Sequence, residues 1–259
     1  AACQAARPDM TPLPCDNFED VIEAVRSGTA DLAMLPVENS TYGRVADIHR
    51  LLPESGLHII DESFTRVRIS LMALRGVTLD EIKTARAHLV LLPQARSFLD
   101  KHNIRAVSAV DSAGAAAELA GSADRSSAVL ASALAADIYD LKILARDIED
   151  HQHNTTRFLV MARDADLAVR SDRMMTTFVF QVRNIPAALY KAMGGFATNG
   201  VNMTKLESYM VGGSFTATQF YADIQGHPGD ANVKMAMDEL SYFSSMVKIL
   251  GVYPADKSR

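Results

Sequence analysis

Through the first 160 or so residues, short apolar runs and amphipathic helical stretches take turns along the chain, and this alternation limits the fold more than any other feature. Asn17, with Asp20 three residues on, is placed to cap a helix whose face is Phe18, Val21, Ile22 and Val25 and which ends near Gly28. Leu32–Val37 follows as a wholly apolar run, the pattern of a strand buried on both faces. Val45, Ile48, Leu51 and Leu52 give a second helical face, and residues 57–60 a second strand. Val67, Ile69, Leu71 and Ala73 alternate with Arg66, Arg68, Ser70 and Met72, which predicts a half-buried strand, and Thr78–Glu81 fits a capping box that opens a helix. Strands are then expected at 88–92, 128–131 and 156–161, with helices at 94–101, from a cap at Asp111 or Ser112 to Ala120, and at 133–139. The expected class is α/β.

The pattern changes after residues 163–173, which are charged and without period and are expected to form a linker. Thr176–Val182 reads as a strand, and Pro186 suits the first position of a helix running to Ala197 and closed by Asn199-Gly200. Val201–Met210 and Ser214–Ile224 read as strands joined by a Gly212-Gly213 hairpin turn, Asp230 as the cap of a further helix, and Val247–Val252 as a last strand. The order is βαββαβ in about 80 residues, a ferredoxin-like unit. Two domains are therefore expected, at 1–165 and 175–259.

Composition removes several functions. Lys and Arg number 26 against 31 Asp and Glu, a formal charge of −5 without long runs, so neither a nucleic-acid surface nor a polybasic membrane patch is expected. No apolar stretch approaches the roughly 18–20 residues that span a bilayer. Cys3 and Cys15 alone cannot build a disulfide framework or a cysteine-rich zinc module, and they suit a reducing cytoplasm. Ala1–Arg7 reads like the middle of a helix, so an N-terminal segment is expected to be missing from this sequence.

Polar strings sit where strands meet loops. Pro36-Val37-Glu38-Asn39-Ser40 sets a carboxylate, an amide and a hydroxyl at a strand end, the region where open α/β sheets bind ligands. The plainer alternative is that Asn39 and Ser40 turn the chain and cap the next helix. His153-Asn154-Thr155-Thr156-Arg157-Phe158 offers a guanidinium fork beside two hydroxyls, or else a Thr-rich strand start with an exposed arginine. His151 and His153 lack a third partner for a metal.

Taken together, Glu38-Asn39-Ser40 followed by Gly43 and Val45, and Asn154-Thr155-Thr156-Arg157-Phe158, resemble prephenate dehydratase, and the βαββαβ segment resembles the regulatory ACT domain that follows it in that family. Ile185–Leu189 stands at the family's Gly-Ala-Leu element and Glu207-Ser208 at its Glu-Ser-Arg-Pro element, in family order along essentially the whole chain. Ala187 replaces that glycine, Tyr209-Met210 replaces Arg-Pro, and Ala87 stands where a serine is common before His88. The family also begins with a strand and a glycine-rich substrate loop, and this sequence starts after them.

The resemblance implies a catalytic region of two α/β subdomains similar to type II periplasmic binding proteins, with the site between them. It implies loss of water and CO2 from prephenate to give phenylpyruvate, without metal or organic cofactor. Thr156, Arg157, Glu38 and Asn39 match the catalytic motifs, and Ser40, Gln94, Ser112, Thr155 and Phe158 the substrate-binding positions; His88, Asp111 and Ala113 match cleft-facing stretches of the family. L-phenylalanine is the implied inhibitor, held between subunits of a homodimer or homotetramer by Ala187, Ala188 and Leu189 of one copy and Asn202, Glu207 and Ser208 of another. Two alternatives stand beside this: an arogenate dehydratase, and a non-catalytic amino-acid sensor of the same fold.

Overall fold

The helix starts depend on single side chains, and two act as predicted. Asn17 accepts from the Asp20 amide (2.8 Å) and Asp111 from the Gly114 amide (2.6 Å), each relieving an unpaired first-turn N–H. At the second start, then, Asp111 rather than Ser112 is the cap. In the computed structural model, which describes residues 2–151, 153–210 and 217–259, the elements begin with α1 (Ala2–Ala6), α2 (Phe18–Arg26), β1 (Ala33–Asn39), β2 (Gly43–Arg44), α3 (Ala46–Leu51) and β3 (His58–Arg66). They continue with β4 (Ser70–Ala73), β5 (Thr84–His88), α4 (Arg96–Lys101), β6 (Arg105–Ala109), α5 (Ser112–Ala120), β7 (Ser127–Ala131), α6 (Ala133–Tyr139) and β8 (Lys142–Ala145). The last are β9 (Thr155–Ala162), β10 (Met174–Val182), α7 (Ala188–Thr198), β11 (Met203–Met210), β12 (Ala217–Gln225), α8 (Ala231–Phe243) and β13 (Ser244–Pro254).

The chain forms two compact units: residues 1–8 with 66–155, and residues 9–65 with 156–259. This division by compactness cuts across the one expected from sequence, 1–165 and 175–259.

The first unit is built on a five-stranded sheet in the order β6-β5-β7-β4-β8, with β5 parallel to β6 and β7 and β4 antiparallel to β7 and β8. The strand expected at residues 67–73 is shortened to β4, which is buried throughout in the middle of the sheet. The strand expected at 88–92 lies earlier, at β5, because Ala85 and Ala87 are the buried positions while Leu89 and Val90 turn outward. Thr78 and Glu81 do form a capping box, yet it supports one 3₁₀ turn only.

The second unit carries an eight-stranded sheet in the order β11-β12-β10-β13-β3-β9-β1-β2. Its β10–β13 portion has the expected βαββαβ order, with β10 central and both helices on one face. Alternate residues of β10 face opposite ways: Phe178 and Phe180 pack on α7 and α8 with Phe196 and Leu240, while Met175 and Val179 join Leu35, Ile59 and Tyr253 in a second core that also covers Ile22 and Ile48. Both faces being covered, β10 is buried along its length except at the half-buried Gln181. The Gly212-Gly213 turn lies outside the described residues. Within this unit the sheet rolls so far that its edge strands meet. Arg44 of β2 donates to the Ser208 carbonyl of β11 (3.0 Å) and pairs with Glu207 (3.6 Å).

One glycine permits this sheet to be continuous. Gly251 of β13 pairs in parallel with Ile59 of β3, and a Cβ there would stand 2.3 Å from the Ile59 carbonyl oxygen. Gly251→Ala should therefore lower stability by about 1–3 kcal/mol, as overpacking does. A urea midpoint equal to wild type would show that the strands separate without loss.

The helix expected to start at Pro186 starts at Ala188 instead, because Ala187 takes a left-handed conformation with φ 62°. That backbone favours glycine and costs an alanine about 1–2 kcal/mol. It gives a physical reason why the resemblance places a glycine at this position. Among the described residues no helix is long and apolar enough to cross a membrane.

Candidate active site

The two polar strings of the sequence meet on neighbouring strands of the second unit. β1 and β9 run antiparallel, with Glu38 opposite Arg157 and Asn39 opposite Thr156. Val37 is left over between the Pro36 and Glu38 pairings, a bulge that tightens the twist and re-aims the strand end. Pro36 has no N–H to give to a ladder and sits beside this bulge, where such a residue is tolerated.

The bulge sets up a directional hydrogen-bond chain. The Asn39 side-chain oxygen accepts from the backbone N–H groups of Thr41 and Tyr42, both at 2.9 Å. This fixes the amide so that Nδ2 points to the Thr156 Oγ1, 3.0 Å away. Thr156 therefore accepts from Asn39 and keeps its own hydroxyl proton to donate. A half-buried donor of fixed direction can stabilise a departing oxygen. Asn39 thus both turns the chain and orients Thr156, so the two readings of this string hold together.

Arg157 departs from both sequence readings. It is neither an exposed arginine nor an open fork for a substrate carboxylate: it is 1% exposed, and protein acceptors occupy it. Its Nε donates to Glu62 (2.8 Å), Nη1 to Glu38 (2.9 Å) and Asp223 (2.5 Å), and Nη2 to the Tyr253 hydroxyl (2.9 Å). The cause is the alternation of β9, which turns Arg157 into the rolled sheet, where a charge persists only with partners. Thr177 donates to Asp223 (2.6 Å), so the Tyr253 hydroxyl donates to Thr177 (2.7 Å) while accepting from Arg157. Arg259 adds a second cation, with its Nε 2.8 Å from Glu62. Burial works against the charge of Arg157, but Asp223 together with Tyr253, Tyr221 and Glu62 outweighs it, and the guanidinium stays protonated.

Glu38 links this cluster to the strand end. One carboxylate oxygen meets Arg157 and the other meets Lys205 of β11. Burial would push its carboxyl up, yet hydrogen bonds from Lys205 and Arg157 prevail and hold it below the ordinary carboxylate range. Glu62, Asp223, Lys205, Tyr253 and Arg259 were absent from the sequence reading. The available signal was a lone acid inside an apolar strand, as in Phe220-Tyr221-Ala222-Asp223-Ile224, since buried charges occur paired.

The remaining predicted residues are distributed over both units. Ser40 is exposed, while Phe158 is half-buried opposite Pro36. In the first unit Gln94 is buried; its amide nitrogen donates to the Val90 carbonyl (2.8 Å) and its oxygen accepts from Asn154. Ser112 accepts from the His88 backbone N–H (3.1 Å), and the Thr155 hydroxyl is 3.4 Å from the His153 carbonyl. Among the described residues no group of His, Cys, Asp and Glu is arranged to hold a metal.

A separate cavity of about 280 Å³ opens at the start of α7, where Ile185, Ala187, Ala188, Leu189 and Phe220 form its wall. Asn202 is bonded to Gln225 (3.2 Å), and Glu207 and Ser208 are engaged by Arg44.

Comparison with known proteins identifies the family. The family model for prephenate dehydratase matches residues 1–166. A bifunctional N-acyl-homoserine lactone acylase/prephenate dehydratase of Komagataeibacter europaeus is 49% identical over 259 residues, covering 100% of this chain and 92% of that protein. The chloroplastic arogenate dehydratase/prephenate dehydratase 2 of Arabidopsis thaliana is 33% identical, over 99% of this chain and 70% of its own length. The crystal structure of prephenate dehydratase from Arthrobacter aurescens in complex with L-Phe superposes with a TM-score of 0.88 at 32% identity, covering 98% of this chain and 85% of that one.

Proposed function

The chain belongs to the prephenate dehydratase family, and from that premise we propose that it converts prephenate to phenylpyruvate in a cytoplasmic route to phenylalanine. In this reaction the ring carboxyl carbon leaves as CO2, and the electron pair of its bond completes the aromatic ring. The ring hydroxyl leaves, with a proton, as water. The reading is carried by the Asn39–Thr156 pair, whose fixed direction leaves a hydroxyl proton for the departing oxygen. Glu38 holds the strand end, and Arg157 acts as a positioning residue rather than a substrate clamp. Gln94, Ser112, Ser40, Thr155 and Phe158 remain the proposed substrate contacts. The test is ultraviolet detection of phenylpyruvate from prephenate, run beside arogenate, since the plant relatives are named for both substrates. Turnover of arogenate alone would reassign the substrate, and turnover of neither would favour an amino-acid sensor.

A second reading rests on the bacterial relative, whose name joins an N-acyl-homoserine lactone acylase to the dehydratase at 49% identity. Amide hydrolysis by this chain would release homoserine lactone, which chromatography detects.

Residues 175–259 are proposed as the regulatory ACT domain. Phenylalanine would place its ring against Ile185, Leu189 and Phe220 and its carboxylate at the first amides of α7, in an oligomer whose second copy supplies Asn202, Glu207 or Ser208. The cavity there and the L-Phe complex of the Arthrobacter relative support this. Calorimetry on the whole protein should detect phenylalanine binding, with inhibition of about 5–150-fold in affinity terms. A flat titration would remove the effector assignment.

A further inference from the structure

Among the described residues the edges of the second unit's rolled sheet meet without backbone-to-backbone pairing. Its two edges meet through side chains, and these are among the residues that matter most for the proposed chemistry. Lys205 of β11 sits opposite Asp223 in the ladder with β12, and its ammonium reaches across the seam to Glu38 on β1. Glu38 is the next residue to Asn39, which orients Thr156. Lys205 also lies 3.5 Å from Glu207, and Arg44 of β2 ties Glu207 and the Ser208 carbonyl from the other edge. The strand that bears the proposed effector residues thus touches the strand that bears the proposed catalytic ones at this seam.

We propose that Lys205 is a positioning residue for the dehydration, and that the β2–β11 seam it closes is where effector binding on β11 is felt at Glu38. The inference rests on the dehydratase reading. Glu38 and Asn39 belong to one extended strand just beyond a bulge, so a carboxylate held from both sides fixes the direction of the amide that follows it. Without Lys205, Glu38 keeps Arg157 but loses its tether on the β11 side, and the strand end gains freedom there. A ligand ammonium recruited by Glu207 or Ser208 competes with Lys205 and Arg44 for those same oxygens. Occupancy of β11 and tension on Glu38 are then two readings of one arrangement.

The titratable and charged groups facing Glu38 are Arg157 on β9, Lys205 and Glu207 on β11, Arg44 on β2 and His49 on α3. Among the described residues only Lys205 and Arg157 bond to it, and they hold its carboxyl down against burial. Removing Lys205 must therefore raise the pH at which Glu38 ionises. The test compares Lys205→Met and Lys205→Arg with wild type at several pH values. Lys205→Met should lower kcat about 10-fold or more with KM changed less than about 3-fold, shift the acidic limb of the rate profile to higher pH, and weaken phenylalanine inhibition. Lys205→Arg should recover most of the rate, because a cation of similar reach still meets Glu38. An unchanged acidic limb in Lys205→Met, or a Lys205→Arg protein as slow as the Met variant, overturns the proposal while prephenate turnover by wild type leaves the dehydratase reading intact. A wild type inactive on prephenate and arogenate defeats that reading instead. The seam is then still read by carbon-13 titration of the Glu38 carboxyl, which must move up in Lys205→Met, and an unmoved titration overturns the contact as well.

Discussion

Thr156→Ala should lose about 10²–10⁴-fold of turnover, the range supplied by a positioned proton donor, while its stability stays within about 1.5 kcal/mol of wild type. The side chain is half-buried and makes one observed hydrogen bond, accepted from Asn39. Its removal leaves a single amide donor to find water, and leaves no cavity of consequence. Thr156→Ser keeps the oxygen and proton and should stay far closer to wild type than the alanine variant. Asn39→Ala should fall between them, because the hydroxyl survives but loses the partner that sets its direction. Phenylpyruvate release gives the rate and thermal unfolding the stability. An alanine variant with near-normal turnover takes Thr156 out of the mechanism.

The second large effect is on the fold rather than the rate. Arg157→Met should destabilise the protein by about 3–5 kcal/mol, the usual penalty for stripping one partner from a buried ion pair. Glu62 and Asp223 would be left buried with Arg259 as their remaining cation, and Tyr253 would lose the donor on its oxygen. Arg157→Lys should recover only part of this, since one ammonium cannot reach Glu62, Glu38, Asp223 and Tyr253 from a single point. Denaturant midpoints separate the outcomes: a stable Lys variant with depressed turnover would return Arg157 to the substrate. The half-buried Glu38 also fixes a direction of pH dependence. Glu38 ionises below the ordinary carboxylate range, so its contribution is present above about pH 4.3 and is lost as the pH falls through its lowered value.

The limits of the sequence reading follow from which interactions are local. Caps and periods act within one turn, so Asn17, Asp111 and the 133–139 helix were legible. β6 and β8 were not, because they are the two edges of the first unit's sheet and their residues are exposed or half-buried, which leaves the apolar signal short and weak. The motif residues of the candidate site could be identified from the chain, whereas the role of Arg157 could not. Its neighbours Glu62, Asp223 and Tyr253 come from three other strands, and no spacing announces them. Ala187 shows the intermediate case: the sequence marks a departure from glycine, and only the backbone angle explains what that departure costs.

The pairing of β13 with β3 has a consequence during synthesis. Ile59 and Gly251 stand about three quarters of the chain apart, and in the sheet order β10 reaches β3 through β13. At about 5–20 residues per second, a ribosome takes roughly 10–40 s to deliver the last strand after β3 has emerged. Throughout that interval β3 presents an unpaired edge, and its Glu62 lacks Arg259, and for about the first half of it Arg157 as well. The nascent chain therefore carries its greatest aggregation hazard before its C-terminal strands exist, and a product cut near residue 170 would keep that hazard permanently. Chaperone demand in the cell, rather than catalytic rate, is where such a truncation should first be felt.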